Sequence, residues 1–192
     1  MHLVLSTGQY LKDMAGASAY VVDCFAVAVC ANIGISRSKL LKGEQWRAKQ
    51  VSMRRYFYGV KVQVLVRASG IPVEFCFVPG AESDVQALKK LPMSGAEESS
   101  IYADSAYTDY TIEDSMKGAD FIELMVQRKS NSKRKDEPCV RFIKEPMRKG
   151  IETTFSLLKA LFLRKIQAVS CKGFLLKIML FSLAFTLDKL TD

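Results

Sequence analysis

"YFYGVKVQVLVRASGIPVEFCFVPG" occupies residues 56–80. Val60, Val62, Val64 and Val66 recur at every second position, Ala68-Ser69-Gly70 offers a turn, and Val73, Phe75 and Phe77 resume the alternation. Period two is the side-chain period of a strand, since successive Cβ atoms point to opposite faces. The stretch reads as a β-hairpin, the clearest in the chain, and makes a sheet the frame of the fold.

Upstream, "SAYVVDCFAVAV" (18–29) is rich in Val and aromatic residues and reads as a buried strand or the start of one. Residues 1–17 show no regular pattern. Downstream, "SDVQALKKL" (83–91) suggests a short helix with Ser83 or Asp84 as N-cap. "SSIYADSAY" (99–107) gives a strand ending near Asp104, "TDYTIEDSMKG" (108–118) a helix closed by Gly118, and "DFIELMVQRK" (120–129) another strand. The polar, basic "RKSNSKRKDEP" (128–138) reads as a mobile linker. Two helices finish the chain. Over 147–162, Ile151, Phe155, Leu158 and Phe162 share one stripe, and 172–189 is apolar almost all round, which predicts burial. The order of elements predicts one mixed α/β domain over 18–192, a sheet with helices packed on it. Sheet order is not readable from the pattern.

With 49% hydrophobic and 25% charged residues, the 192-residue chain has the composition of a folded protein with a real core. The net charge of +8 favours polyanionic partners, because Lys and Arg displace counterions from phosphates. Between Ser36 and Lys61 stand eight Lys or Arg against one Glu. This basic loop, 36–55 with Lys61 beyond it, offers Arg37, Lys39, Lys42, Arg47, Arg54, Arg55 and Lys61 as candidate DNA contacts; a merely solvated loop has the same charge. Trp46 within it suits stacking on a base or packing on the core. Five cysteines form no C-x-x-C pair, which argues against a thiolate zinc site or a disulfide framework and for a reducing cytoplasm. The single histidine, His2, excludes most histidine catalysis. No basic segment followed by an apolar one marks a signal peptide. "FLLKIMLFSLAFTL" (174–187) is 14 residues long and contains Lys177, against the roughly 20 a membrane span needs, so no membrane association is expected.

Any catalysis then rests on carboxylates, Lys, Ser, Cys or Tyr. Asp23 in "VVDCF", Asp104 in "IYADSAY" and Glu152 in "IETTFSLLK" lie in unusually apolar surroundings. On a helix, Arg148, Glu152, Ser156 and Lys159 stack along one face, setting a carboxylate between two cations beside the apolar stripe. Phosphodiester chemistry needs such acids, since two Mg²⁺ ions about 3.5–4 Å apart serve the nucleophile and the leaving oxygen and take hard oxygen ligands. Each acid alone is as readily a strand-end residue or a surface ion pair. Asp84 and Asp109 read more simply as cap or turn residues.

Taken together, "VVDCFAVAVCANIGISRSKLLKGE", "RRYFYGVKVQVLV", "YADSAY", "RKGIETTFSLLK" and "KGFLLKIMLFSLAFTL" resemble bacterial insertion-sequence transposases of the DDE type. The resemblance implies an RNase H-like fold in which Asp23, Asp104 and Glu152 are the metal-binding triad, with Mg²⁺ or Mn²⁺, two ions, as cofactor. It implies Arg148 and Lys159 as the Arg and Lys of the Tyr-Arg-Glu-Lys signature. The signature's Tyr position holds Glu145, and Ser105 stands after the second Asp where Lys or Arg is frequent. The activity implied is cleavage and strand transfer on double-stranded DNA, by a homodimer where two element ends are processed together, in the bacterial cytoplasm at the nucleoid. Only 22 residues precede Asp23, so the expected object is a catalytic domain without the usual N-terminal DNA-binding region. A truncated, inactive remnant that at most binds DNA, or a stand-alone nuclease of the same fold, stand as alternatives.

Overall fold

The computed structural model describes residues 19–30, 32–50, 55–93, 96, 98–119, 121–161 and 166–191. Strand β1 (Ala19–Cys30) leads into two 3₁₀ turns, Asn32–Arg37 and Glu44–Trp46, and a short strand β2 (Arg47–Gln50). The hairpin follows as β3 (Arg55–Arg67) and β4 (Pro72–Pro79), then helix α1 (Asp84–Leu88), strand β5 (Ser100–Ala103), helix α2 (Tyr110–Ala119) and strand β6 (Glu123–Val126). Helices α3 (Pro138–Leu161) and α4 (Cys171–Thr191) close the chain.

The hairpin turns where expected. Gly70 sits at φ +89°, a left-handed conformation that glycine adopts without strain, and its N–H bonds the Arg67 carbonyl at 2.8 Å. One detail departs from simple alternation. Leu65 pairs Glu74 and Val66 pairs Pro72, leaving Val73 as the extra residue of a bulge. Val73 therefore joins the opposite core from Phe75, although the spacing sets them on one face.

The six strands form one sheet in the order β2-β3-β1-β5-β6, with β4 also on β3. Strand β3 is antiparallel to β1, β2 and β4, whereas β5 is parallel to both β1 and β6. At Gly59 the two long strands come so close that a Cβ would stand 2.1 Å from the Val27 carbonyl oxygen, which no side chain allows. Two cores cover the faces. Val21, Phe25, Val60, Val62 and Val64 pack under Phe155 and Leu158 of α3 and Phe174, Ile178 and Phe185 of α4. Tyr20, Val22, Leu65 and Ile101 pack under Ala87 and Leu88 of α1 and Met116 of α2. The result is a mixed α/β, RNase H-like sheet flanked by helices.

Three expectations change. The basic 36–55 segment carries two 3₁₀ turns and the edge strand β2 within its described part. Residues 128–138 are fastened: Arg128 donates two hydrogen bonds to Glu113 (2.8 and 2.5 Å), Arg134 two to Asp114 (2.7 and 2.8 Å), and both guanidinium groups stack on Tyr110. Helix α3 then begins at Pro138, where proline is favoured because the first helical N–H has no partner, and it runs through Pro146. The last change concerns α4, which is not buried all round; Leu176, Leu180, Leu187 and Leu190 are open to solvent.

Candidate active site

Asp23 lies in the middle of β1, whose parallel register with β5 pairs Ala19 with Ser100, Tyr20 with Ile101 and Val21 with Tyr102. Carried two residues further, that register sets Asp23 opposite Asp104, the residue after the end of β5. Side chains in register on parallel strands point to the same face. Val21 and Tyr102 belong to the core under α3 and α4, so Asp23 and Asp104 follow them to that side. Beyond Ala103 strand β5 stops while β1 continues to Cys30, which leaves the edge of β1 uncovered from Asp23 onward. The two strands also send the chain in opposite directions, β1 toward β3 and β5 toward β6. Such a switch point opens the crevice where α/β sheets place their ligands.

Helix α3 packs on this face of the sheet. Its Phe155 meets Phe25, two residues past Asp23, edge to face with ring centroids 6.0 Å apart. Glu152 precedes Phe155 by about one turn and is exposed, on a helix that contacts both β1 and β5. Arg148 and Lys159 lie on the same helix, and their side chains fall outside the described residues. The three acids of the sequence pattern thus come from two adjoining strands and the helix over them. Among the described residues, no three His, Cys, Asp or Glu side chains are close enough together to hold a metal ion. The donors are hard oxygens of the type that Mg²⁺ or Mn²⁺ takes, and the register of β1 and β5 sets two of them, Asp23 and Asp104, in adjoining positions.

Asp104 also shapes the backbone. One carboxylate oxygen, Oδ1, accepts the Ala106 N–H at 2.7 Å and caps the 3₁₀ turn Ser105–Tyr107. Ser105 opens that turn and is half-buried. Asp109 caps α2, accepting from Thr111 N at 3.0 Å and Ile112 N at 3.3 Å, as its cap reading anticipates.

On the other face stands a group the sequence did not reveal. Cys24 Sγ donates to Asp84 Oδ1 at 3.0 Å, and Lys61 Nζ donates to the same oxygen at 2.8 Å and to the Glu82 carbonyl at 2.7 Å. Burial pushes the Cys24 thiol far above its ordinary range, and Asp84 reinforces the shift. Both effects favour the neutral thiol over the thiolate. Burial likewise raises the Tyr107 hydroxyl well above its usual value, with Cys24, Asp23, Asp84 and Asp104 adding to it. These long-range pairings carry no local spacing; the sole signal is Tyr107 closing "ADSAY".

The basic candidates scatter. Lys39 and Lys42 are exposed, and Arg47 is exposed with its guanidinium 5.4 Å from the Tyr56 ring centroid. Lys61 belongs to β3 and is committed to Asp84. Arg54 lies outside the described residues, as do the side chains of Arg37 and Arg55. Trp46 packs against the core and donates its indole N–H to the Lys42 carbonyl at 3.2 Å. Among the described residues no helix is long and apolar enough to cross a membrane.

The mixed sheet, with helices on both faces and β1 and β5 parallel in register, is an RNase H-like fold. The match to a family model narrows this. The model for a transposase DDE domain matches residues 14–166, most of the chain, and the protein belongs to that family. No curated protein and no solved structure matches the chain.

Proposed function

We propose that the chain is the catalytic domain of a DNA transposase that cleaves phosphodiesters and joins strands in a metal-dependent reaction. The observation that carries this is the register of β1 and β5, which brings Asp23 level with Asp104 under the helix bearing Glu152. Asp23, Asp104 and Glu152 would hold two Mg²⁺ or Mn²⁺ ions, which when bound supply charge neutralisation at phosphorus and an acidified water or 3′-hydroxyl. Without such ions, neighbouring carboxylates repel one another, which makes the site dependent on them. Arg148 and Lys159, four residues before and seven after Glu152 on α3, orient that carboxylate or contact phosphate. Lys39, Lys42 and Arg47 contact the duplex backbone, which fixes position without reading sequence. Two element ends held together call for a homodimer.

The test is a nicking and joining assay with Mg²⁺ or Mn²⁺ on DNA carrying the element ends, with Asp104→Asn as control. Metal-dependent nicks that persist in Asp104→Asn remove the triad assignment. Nicking without joining assigns a nuclease instead, and a folded chain that binds DNA without nicking it is the inactive remnant.

A further inference from the structure

The segment between β6 and α3 is held in place by its own ion pairs. Arg128 and Arg134 are neutralised by Glu113 and Asp114 of α2 and rest on the Tyr110 ring. Lys144 of α3 donates to Asp136 at 2.6 Å and to the Val126 carbonyl at 2.9 Å. The Tyr110 hydroxyl lies 2.8 Å from the Ser132 hydroxyl and accepts the Lys133 N–H at 3.1 Å. Four cations are left over. Lys129, Lys133, Lys135 and Arg141 are exposed and have no acidic partner among the described residues. Against them stands one exposed carboxylate without a cation, Glu137. Arg128, Lys129, Ser130, Lys135, Asp136 and Arg141 line a polar cleft of about 250 Å³.

The sheet ties this cleft to the crevice. Ala103 pairs Val126 in the parallel register of β5 and β6, and the Gln127 N–H continues the ladder to the Ala103 carbonyl at 2.9 Å. Asp104 is therefore level with Gln127, and Arg128 opens the basic segment one strand away, about 4.8 Å. Along α3, Arg141 stands eleven residues before Glu152, ~16 Å at the helical rise. A duplex rises about 3.4 Å per base pair, so roughly five pairs span that distance.

We propose that this cleft grips the phosphate backbone of DNA about five base pairs from the position held at the carboxylates. The proposal rests on the reading of the chain as a DNA-acting domain, and adds a contact surface to Lys39, Lys42 and Arg47. Cations spread over residues 129–141 suit a row of phosphates better than a single anion, since each phosphate neutralised releases counterions. Lys129, Lys135 and Arg141 supply the charge and Ser130 a hydroxyl donor. The ion pairs around them fix the segment before DNA arrives, so binding bears little ordering cost.

Fluorescence anisotropy of the full chain with a duplex of about 20 base pairs, in EDTA and from about 50 to 200 mM salt, tests this without any nicking. Lys129→Gln/Lys135→Gln/Arg141→Gln should weaken binding by about 10²-fold and lower the slope of log affinity against log salt by roughly 2 to 3. Lys89→Gln/Lys117→Gln/Lys172→Gln removes the same formal charge elsewhere on the surface and should weaken binding less than ~5-fold. Circular dichroism reads the fold of both. In case the first variant does not fold, the unsubstituted protein gives a second reading: duplex should slow acetylation of Lys129 and Lys135 at least ~5-fold and leave Lys89 and Lys172 unchanged. Equal losses in the two variants, an unchanged salt slope, unprotected Lys129 and Lys135, or no binding at all would each overturn the proposal. Nicking that depends on Asp104 would survive any of those results, and loss of nicking with binding intact would leave the cleft assigned.

Discussion

Asp23 and Cys24 are neighbours in β1 that point to opposite faces of the sheet, and the two faces treat carboxylates in opposite ways. Behind the sheet, one oxygen of Asp84 takes both the Lys61 ammonium and the Cys24 thiol. On the crevice side, Asp104 has one backbone N–H on one oxygen and, among the described residues, no cation at ion-pair distance. A carboxylate already neutralised has little to gain from a metal ion, whereas one short of partners gains its missing charge from it. The contrast sets a carboxylate held by a cation and a thiol against one with a single backbone donor, although both are half-buried aspartates in the same part of the fold.

The largest expected effect breaks this contrast on the crevice side. Asp104→Asn keeps an oxygen to cap the 3₁₀ turn, since Asn caps about as well as Asp, so stability changes by about 0.5 kcal/mol or less. Metal-dependent nicking falls by at least ~10²–10³-fold, the scale for removing one group that stabilises transition-state charge. Single-turnover rates together with urea midpoints check both halves. Loss of nicking that tracks loss of fold would erase the distinction.

Behind the sheet the order inverts. Asp84→Leu strands the Lys61 ammonium, whose side chain is 19% exposed, and costs about 2–3 kcal/mol in denaturant unfolding. Nicking by the protein that stays folded is unchanged within about threefold. The double variant Asp84→Leu/Lys61→Met recovers most of the stability, because an apolar pair of similar volume replaces a pair whose desolvation already offset its attraction. Full stability in the single variant would mean that the ion pair contributes nothing.

How far all this could be read beforehand depends on the range of each signal. Strands β1, β3, β4, β5 and β6 are legible because apolar composition and, in the hairpin, the period-two alternation are local to each strand. So is the N-cap at Ser83, whose hydroxyl accepts from Gln86 N at 3.3 Å. The fastening of 128–138 is not legible, since its charges look solvated until Tyr110, Glu113 and Asp114 are brought beneath them by the β5-α2-β6 connection. Helix α4 misleads for another reason: hydrophobicity on every side is the mark of a buried helix, yet four of its leucines stay open to solvent. The three acids are visible as residues in apolar context, but the register that sets Asp23 level with Asp104 belongs to the sheet.

Alkaline pH gives a smaller effect. The Cys24 thiol is held above its ordinary value of 9.0 in the folded state, so the fold binds a proton that the unfolded chain releases first. Its contribution is complete below pH 9.0 and is lost as pH rises past that value toward the folded one. Stability should fall by about 1 kcal/mol per pH unit above that point. Cys24→Ala should flatten the slope, read from urea midpoints at increasing pH. An unchanged slope would place the alkaline sensitivity elsewhere, with Tyr107 the first candidate.

Tyr107 gives the smallest effect and the finest cut between the two faces. Its ring is buried in the core under α1 and α2, and its hydroxyl has no hydrogen-bond partner among the described residues. Asp23, Asp84 and Asp104 all raise its pKa, which places the hydroxyl within the field of both carboxylate groups. A buried hydroxyl left unpaired costs the fold about 1–3 kcal/mol in lost hydration. Removing it in Tyr107→Phe preserves the ring packing and should raise stability by about 1 kcal/mol, with nicking unchanged within about threefold. If stability falls instead, an ordered water joins the hydroxyl to one of the aspartates. If stability holds while nicking drops, that hydroxyl orients Asp23 or Asp104, and the division between a structural face and a reactive face runs through this one oxygen.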